Sequence, residues 1–292
     1  MSLGQFAYAN NTVRFLAAPP LQAGHAFAVA GVPFDGAVTN RPGARFGPQE
    51  IRRASLMLCD GIHPYFNVSP LGQLGDAGDM CLPNASPLAE VRGHIERQAA
   101  ALMARHHGVF LGGDHSVTLV LLRAAQKRHG LLALVHFDAH CDTWKDHFGE
   151  PSGHGTWTYE AIQEGLVNPR RTVQIGLIYT ARSLRGKDGD GLLPVVQAIC
   201  ERIGDGPCYL TLDIDCLDPA FAPGTGTPEP GGLTSSQLLS LLEALTPLNF
   251  IGMDCVEVAP AYDHAELTSL AAATAVWTYL CSQLDKPLPA ST

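Results

Sequence analysis

The stretch Leu131-Leu132-Ala133-Leu134-Val135-His136-Phe137-Asp138-Ala139-His140-Cys141-Asp142 decides how the chain is read. Its first seven residues are apolar at nearly every position, without the in–out alternation of a strand that faces water on one side. A short run of that kind suits a parallel strand covered by helices on both faces. Comparable runs recur at 26–32, 109–111, 172–178, 209–214 and 250–253. Between the runs, apolar spacing predicts helices over 87–107, 116–129, 234–246 and 265–284. Thr234-Ser235-Ser236-Gln237 has the form of a capping box at the start of the third helix. Strands alternating with helices predict an α/β fold with a parallel sheet. Segments 37–48 and 218–233, rich in Gly and Pro, read as ordered loops.

Ligands of open parallel sheets bind beyond the carboxyl ends of the strands, and that is where this chain gathers its polar residues. Run 109–111 is followed by Gly112-Gly113-Asp114-His115, and run 131–137 by Asp138, His140 and Asp142. Run 209–214 leads through Asp213 to Asp215, and run 250–253 to Glu257. In extended chain the period-two spacing of Asp138, His140 and Asp142 puts them on one side, and likewise Asp213 and Asp215. Four carboxylates so aligned repel one another unless a cation is present, because unpaired buried charge is costly. Two divalent ions offset them. Taken singly, His115 reads as a turn residue and Asp213-x-Asp215 as a solvated strand end; together they point to a metal site. Hard carboxylates with one or two imidazoles and no thiolate suit Mn²⁺, with Zn²⁺, Co²⁺ or Fe²⁺ as other possibilities. His136, one step deeper in its strand, reads as a core or supporting residue, and Cys141 and Cys216 as packing residues.

Composition sets the outer bounds. The 292 residues carry 19 Lys+Arg against 28 Asp+Glu, a net charge of −9 that argues against a nucleic-acid partner. Apolar residues make up 46% and charged ones 16%, which excludes a largely disordered chain. No signal peptide is visible, so the eight cysteines, none in a C-x-x-C pair, read as reduced thiols of a cytoplasmic protein. Residues 267–284 lack charge but contain six Ser, Thr or Gln side chains, and read as a buried helix rather than a membrane span.

The segments GGDHS (112–116), HFDAHCD (136–142) and DIDCLDPAFAPGTGTPEPGG (213–232) resemble signature segments of the ureohydrolases, the arginase–agmatinase family. VPFDGAVTNRPGARFGPQEIR (32–52) and GMDCVEVAPAYDHAELTSLAAAT (252–274) are similar to it too, so the likeness spans most of the chain. The resemblance implies a three-layer α/β/α fold with a central eight-stranded parallel sheet, formed by 1–292 as a single domain. It implies two Mn²⁺ per chain, one held by His115, Asp138, Asp142 and Asp213, the other by Asp138, His140, Asp213 and Asp215. It also implies a homotrimer or homohexamer.

A guanidinium stays protonated, with a pKa above about 12, and needs an activated water as nucleophile. Asp142 would orient that water. His154, between Gly153 and Gly155, is the expected proton donor to the leaving amine, and Glu257 the expected partner of the guanidinium NH₂ groups. Residues 143–151 lack the Asn and Ser/Thr run by which arginases recognise the amino-acid end of arginine. The resemblance is nearest to the bacterial agmatinase branch, which makes agmatine the expected substrate and putrescine and urea the products. Asp146, Glu150 or Glu160 would then face an ammonium tail. For 4-guanidinobutyrate or 3-guanidinopropionate, Arg182, Arg185 or Lys187 would face a carboxylate. Two rivals are a mononuclear Zn²⁺ deacylase, which needs neither His115 nor the Asp213/Asp215 pair, and an inactive binding protein, which would have lost some of these groups.

Overall fold

Residues Leu132–Phe137 form β4, buried at every position, in the interior of an all-parallel sheet. The computed structural model describes residues 13–83, 86–176, 179–184, 186–187 and 189–284. The other strands are β1 (Phe27–Gly31), β2 (Leu74–Asp79), β3 (His107–Leu111), β5 (Val167–Gly176), β6 (Tyr179–Thr180), β7 (Cys208–Asp213) and β8 (Phe250–Val256). Their order is β2-β1-β3-β8-β7-β4-β5-β6. Seven strands have five residues or more, and the eighth, β6, is a two-residue extension at the edge.

The helices are α1 (Gly47–Ser55), α2 (Leu88–Met103), α3 (Val117–His129), α4 (Trp157–Gln163), α5 (Ala181–Leu184), α6 (Leu193–Ile203), α7 (Ser235–Ala244) and α8 (Leu267–Leu284). Alternate residues of the strands feed two separate apolar cores. Val135, Phe137, Leu210 and Leu212 pack with α1, α6, α7 and α8, whereas Leu132, Leu134 and Tyr209 pack with α2, α3 and α4. This accounts for strands that are apolar on both faces. The capping box forms as read, Thr234 Oγ1 accepting from Gln237 N–H at 3.1 Å and Gln237 Oε1 from Thr234 N–H at 3.0 Å. Among the described residues, no helix is long and apolar enough to cross a membrane. Among the described residues, no disulfide joins any of the eight cysteines.

Six of the described elements escape apolar periodicity: β2, β6, α1, α4, α5 and α6. The loop reading of 37–48 ends too late, since α1 starts at Gly47 with Pro48 in its first turn. β2 reads Leu-Gly-Asp-Ala-Gly-Asp because its carboxylates serve a buried cation. Fully buried Arg52 of α1 donates from Nε to Asp76 Oδ2 at 2.8 Å and from Nη1 to Asp79 Oδ1 at 2.5 Å. Arg52→Leu takes the cation from fully buried Asp76, and removing one partner of a buried ion pair costs about 3–5 kcal/mol. A thermal melt of the variant is expected to fall by roughly 10 °C at this chain size. A midpoint within about 2 °C of wild type contradicts that reading.

The strand order also places the chemistry. β7 and β8 lie between β3 and β4, so the carboxyl ends of β3, β8, β7 and β4 stand side by side. Those are the four ends that carry the predicted cluster.

Candidate metal centre

β3 runs into Gly112-Gly113 and then Asp114 and His115 ahead of α3. Any side chain at Gly113 would overlap the Phe34 carbonyl, so glycine lets the loop at 34–39 cross here. Buried Asp114 pins that loop by accepting from Ala37 N–H at 2.9 Å. His115, buried, then points Nδ1 at three carboxylates: Asp138 Oδ2 at 3.0 Å, Asp213 Oδ2 at 3.0 Å and Asp142 Oδ2 at 3.2 Å. Despite these approaches, His115 Nδ1 makes no hydrogen bond.

The residues after β4 do not continue as extended chain, and this corrects the period-two reading. Residues 138–142 bend, Asp142 has φ 53°, and Asp138 Oδ1 accepts from the backbone of His140 at 2.5 Å. Gly176 of β5 (φ 119°) lies against this bend, and a Cβ there would overlap the Asp138 carbonyl. Asp213 and Asp215 are likewise not two steps of one strand. Asp213 ends β7 and caps a 3-10 turn, Ile214–Cys216, accepting from Asp215 N–H at 2.9 Å. The carboxylates converge because the chain turns at each strand end. Cys216 packs in the core as expected, but Cys141 lines the cavity over the cluster.

Two groups of potential ligand atoms result, and Asp138 belongs to both. One contains His115, His136, Asp138 and Asp142; the other contains Asp138, His140 and Asp215. His140 Nδ1 lies 3.0 Å from Asp215 Oδ2 and 3.3 Å from Asp138 Oδ1. Burial and the Asp215 and Asp138 charges push Asp213 well above the ordinary carboxylate range. Burial and Asp138 raise Asp142, and raise Asp215 to about 6. Asp138 is itself penalised by burial, but His136, with His115 and His140, holds it well below that range. Closely spaced buried acids under this repulsion, facing an imidazole nitrogen without a hydrogen bond, are what divalent cations fit. His115, Asp138, His140, Asp142, Asp213 and Asp215 are therefore all brought together.

The surroundings include residues that the sequence reading left out. Trp157 of α4 donates Nε1–H to Asp142 Oδ2 at 2.6 Å and packs against the His115 and His136 rings at 4.7 and 4.9 Å. Thr227 Oγ1 donates to Asp215 Oδ2 at 3.0 Å. Glu229, exposed, has Oε1 3.8 Å from His140 Nε2. Thr211 and Gln174 hold His115 and His136 from below. Only their position inside apolar strand runs could have flagged the last two.

A cavity of about 300 Å³ opens over the cluster, lined by His115, His140, Asp142, His154, Asp213 and the exposed Trp144. His154 Nδ1 is 2.9 Å from Glu257 Oε1. Its Nε2 lies 3.1 Å from both the N–H and the Oγ1 of Thr39. Thr39 thus offers a donor to the neutral ring and an acceptor to the charged one, so either state is held in place. Burial opposes charge on His154, but the Glu257 hydrogen bond and charge prevail and raise it to about 9. Glu257, φ 62° and buried, also accepts from His115 N–H through Oε1 at 2.8 Å. It sits behind His154 and does not itself line the cavity.

The candidate tail residues fare differently. Glu160 is engaged by Ser152, Thr156 and Arg92, and Asp146 caps the backbone of Gly149. Neither they nor Glu150 line the cavity, nor do Arg182 and Lys187. Arg185 lies outside the described residues. Among the described residues, the cavity lining includes no Lys or Arg.

Comparison with known proteins follows the same lines. A family model described as the Arginase family matches residues 25–281. An agmatinase of Chromobacterium violaceum is 43% identical over 271 residues, covering 89% of this chain and 84% of that protein. The crystal structure of a hypothetical agmatinase from Burkholderia thailandensis superposes with a TM-score of 0.87 at 38% identity, covering 93% and 90% of the two chains. Proclavaminate amidino hydrolase from Streptomyces clavuligerus gives 0.84 at 35% identity, covering 94% and 99%.

Proposed function

The chain belongs to the arginase family, and from that premise we propose that it hydrolyses the guanidinium group of agmatine, releasing urea and putrescine. The observation that carries this reading is the meeting of His115 Nδ1, unbonded, with the three carboxylates Asp138, Asp142 and Asp213 at the floor of a cavity that His154 lines. His115, Asp138, Asp142 and Asp213 would hold one Mn²⁺, and Asp138, His140, Asp213 and Asp215 a second, with Asp138 and Asp213 shared. Bound there, the ions would supply a water whose pKa is lowered toward about 7 and would offset the charge of the four acids. The same reading, extended from the family resemblance, gives a cytoplasmic homotrimer or homohexamer.

The protein's own groups divide the remaining work. Asp142, fixed by the Trp157 N–H, is placed to accept a hydrogen bond from the nucleophile and orient it. His154 is the proton donor to the leaving amine. The Glu257 charge keeps it protonated at neutral pH, and Thr39 keeps its ring in place before and after transfer. Glu257 Oε1 is already shared by His115 and His154 and Glu257 does not line the described cavity, so its first task is to hold His154, and the contact proposed with a guanidinium NH₂ would fall to Oε2. A lining that, among the described residues, has no Lys or Arg suits a cationic or neutral tail, with exposed Trp144 offering an aromatic face. That favours agmatine over substrates ending in a carboxylate. The likeness to the proclavaminate enzyme supports a second reading, another guanidino compound such as 4-guanidinobutyrate, 3-guanidinopropionate or arginine.

Urea release by Mn²⁺-loaded protein across agmatine, arginine, 4-guanidinobutyrate and 3-guanidinopropionate decides between them. The expected kcat/KM for agmatine exceeds the others by about 100-fold or more, since a carboxylate tail finds no Lys or Arg in the described cavity lining and an unpaired charge taken from water is costly. Preference for either guanidino acid overturns the substrate assignment. No urea from any of them overturns the activity.

A further inference from the structure

One rung of the sheet beneath the cluster is polar across four adjacent strands. Asp254 of β8 pairs in register with Thr211 of β7, Thr211 with His136 of β4, and His136 with Gln174 of β5. All four are buried, on the face where α3 and α4 pack. Polar groups at such a depth cost free energy unless each finds a partner. Here every partner is found, and the direction of each hydrogen bond follows from its chemistry.

Thr211 Oγ1 lies 2.5 Å from Asp254 Oδ1, and Thr118 Oγ1 of α3 lies 3.1 Å from Asp254 Oδ2. The carboxylate accepts from both hydroxyls. With its one proton committed to Asp254, Thr211 can meet His115 Nε2, at 2.9 Å, only as an acceptor. His115 therefore carries hydrogen on Nε2, and Nδ1 is left to face Asp138, Asp142 and Asp213. On the other side, Gln174 Nε2 lies 2.8 Å from the Cys141 carbonyl, which fixes which end of the amide is the donor. The same nitrogen lies 3.1 Å from His136 Nδ1, so that atom accepts and His136 Nε2–H donates to Asp138 Oδ2 at 2.7 Å. Two relays thus share one rung, the first donating from His115 away from the candidate metal centre and the second donating from Gln174 toward it. Each ends on an atom of the candidate metal centre.

We propose that Asp254 and Gln174, neither of which lines the cavity, are positioning residues for divalent cations. Asp254 acts through Thr211 to present His115 Nδ1 as a lone pair. Gln174 acts through His136 to set the orientation of the Asp138 carboxylate. The inference rests on the metal reading above and adds residues that touch neither substrate nor ion. Partners behind a ligating histidine typically contribute 10- to 100-fold, as an order of magnitude, to metal affinity.

The test is Mn²⁺ alone, titrated into chelator-stripped full-length protein, with free Mn²⁺ read by electron paramagnetic resonance. Thr211→Val and Asp254→Asn are expected to weaken Mn²⁺ binding by about 10- to 100-fold, and Gln174→Leu to weaken it in the same direction. Thr211→Ser, which restores the hydroxyl, is expected to bind within about 3-fold of wild type. A purely structural role would lower the melting temperature without this pattern of loss and rescue. Should Thr211→Val fail to fold, the nearly isosteric Asp254→Asn decides. Wild-type affinity in folded Thr211→Val or Asp254→Asn overturns the relay through Thr211, and wild-type affinity in Gln174→Leu overturns the relay through His136. Wild-type protein that binds no Mn²⁺ overturns the metal reading itself, and this inference with it.

Discussion

Replacing Asp138 or Asp213 with alanine is expected to lower urea release by about 1,000-fold or more, a loss of roughly 4 kcal/mol in transition-state stabilisation. Asp138 belongs to both groups of ligand atoms, and Asp213 joins Asp138 in facing His115. Metal content, measured on the same samples, should fall from about two ions per chain, the number proposed, to one or fewer. The sign of the stability change separates this from simple damage. Burial and neighbouring acids raise the Asp213 pKa far above its unfolded value, so without metal its ionised form opposes folding at neutral pH. Asp213→Asn should therefore melt higher than wild type in chelator and gain less on adding Mn²⁺. Near-wild-type turnover in either Asp138→Ala or Asp213→Ala would overturn the shared-ligand assignment.

His154→Asn is expected to reduce kcat by about 100- to 10,000-fold, the usual range for one general acid or base, with metal content unchanged. The pH profile carries the sharper evidence. His154 is raised to about 9 by Glu257 against the opposing effect of burial, so the protonated donor persists through neutral pH and is lost as pH rises through that value. Wild-type kcat should decline on this alkaline limb. The limb should vanish in His154→Asn and move to lower pH in Glu257→Gln, where the charge that holds the proton is gone. The linked stability has the same sign: it is fully present below the unfolded histidine pKa of about 6.5 and lost as pH rises past the folded one. An alkaline limb unmoved in both variants would reassign the proton donor. Loss of metal in His154→Asn would place that histidine among the ligands.

Much of this site was legible because ligating residues must stand at strand ends, where the apolar runs stop abruptly at Leu111, Phe137 and Leu212. The six proposed ligands could be named from that alone and from the family likeness. Their convergence, however, does not come from period-two alternation. Period-two alternation assumes extended backbone, whereas Asp142 is left-handed and Asp213 caps a turn. Residue type survives such an error because a bend can also bring i and i+2 together. What periodicity could not reveal were elements whose residues answer to charge rather than burial, such as β2 with its acids around Arg52. Nor could it reveal supports such as Thr211 and Asp254. In sequence they read as ordinary strand residues, and only pairing across β7 and β8 gives them a role.

The polar rung bears on how this sheet finds its pairing. Parallel strands apolar on both faces are weakly discriminated by hydrophobicity, since a slip of one residue exchanges one oily side for another. Such a slip here would send Thr211, His136 or Asp254 to the opposite face and leave its hydrogen-bonding neighbours buried without partners. The rung therefore works as a checksum on strand alignment: mismatched arrangements incur several orphaned polar groups at once. The alignment it selects is the one that assembles the metal ligands. Correct folding and a competent site become the same event.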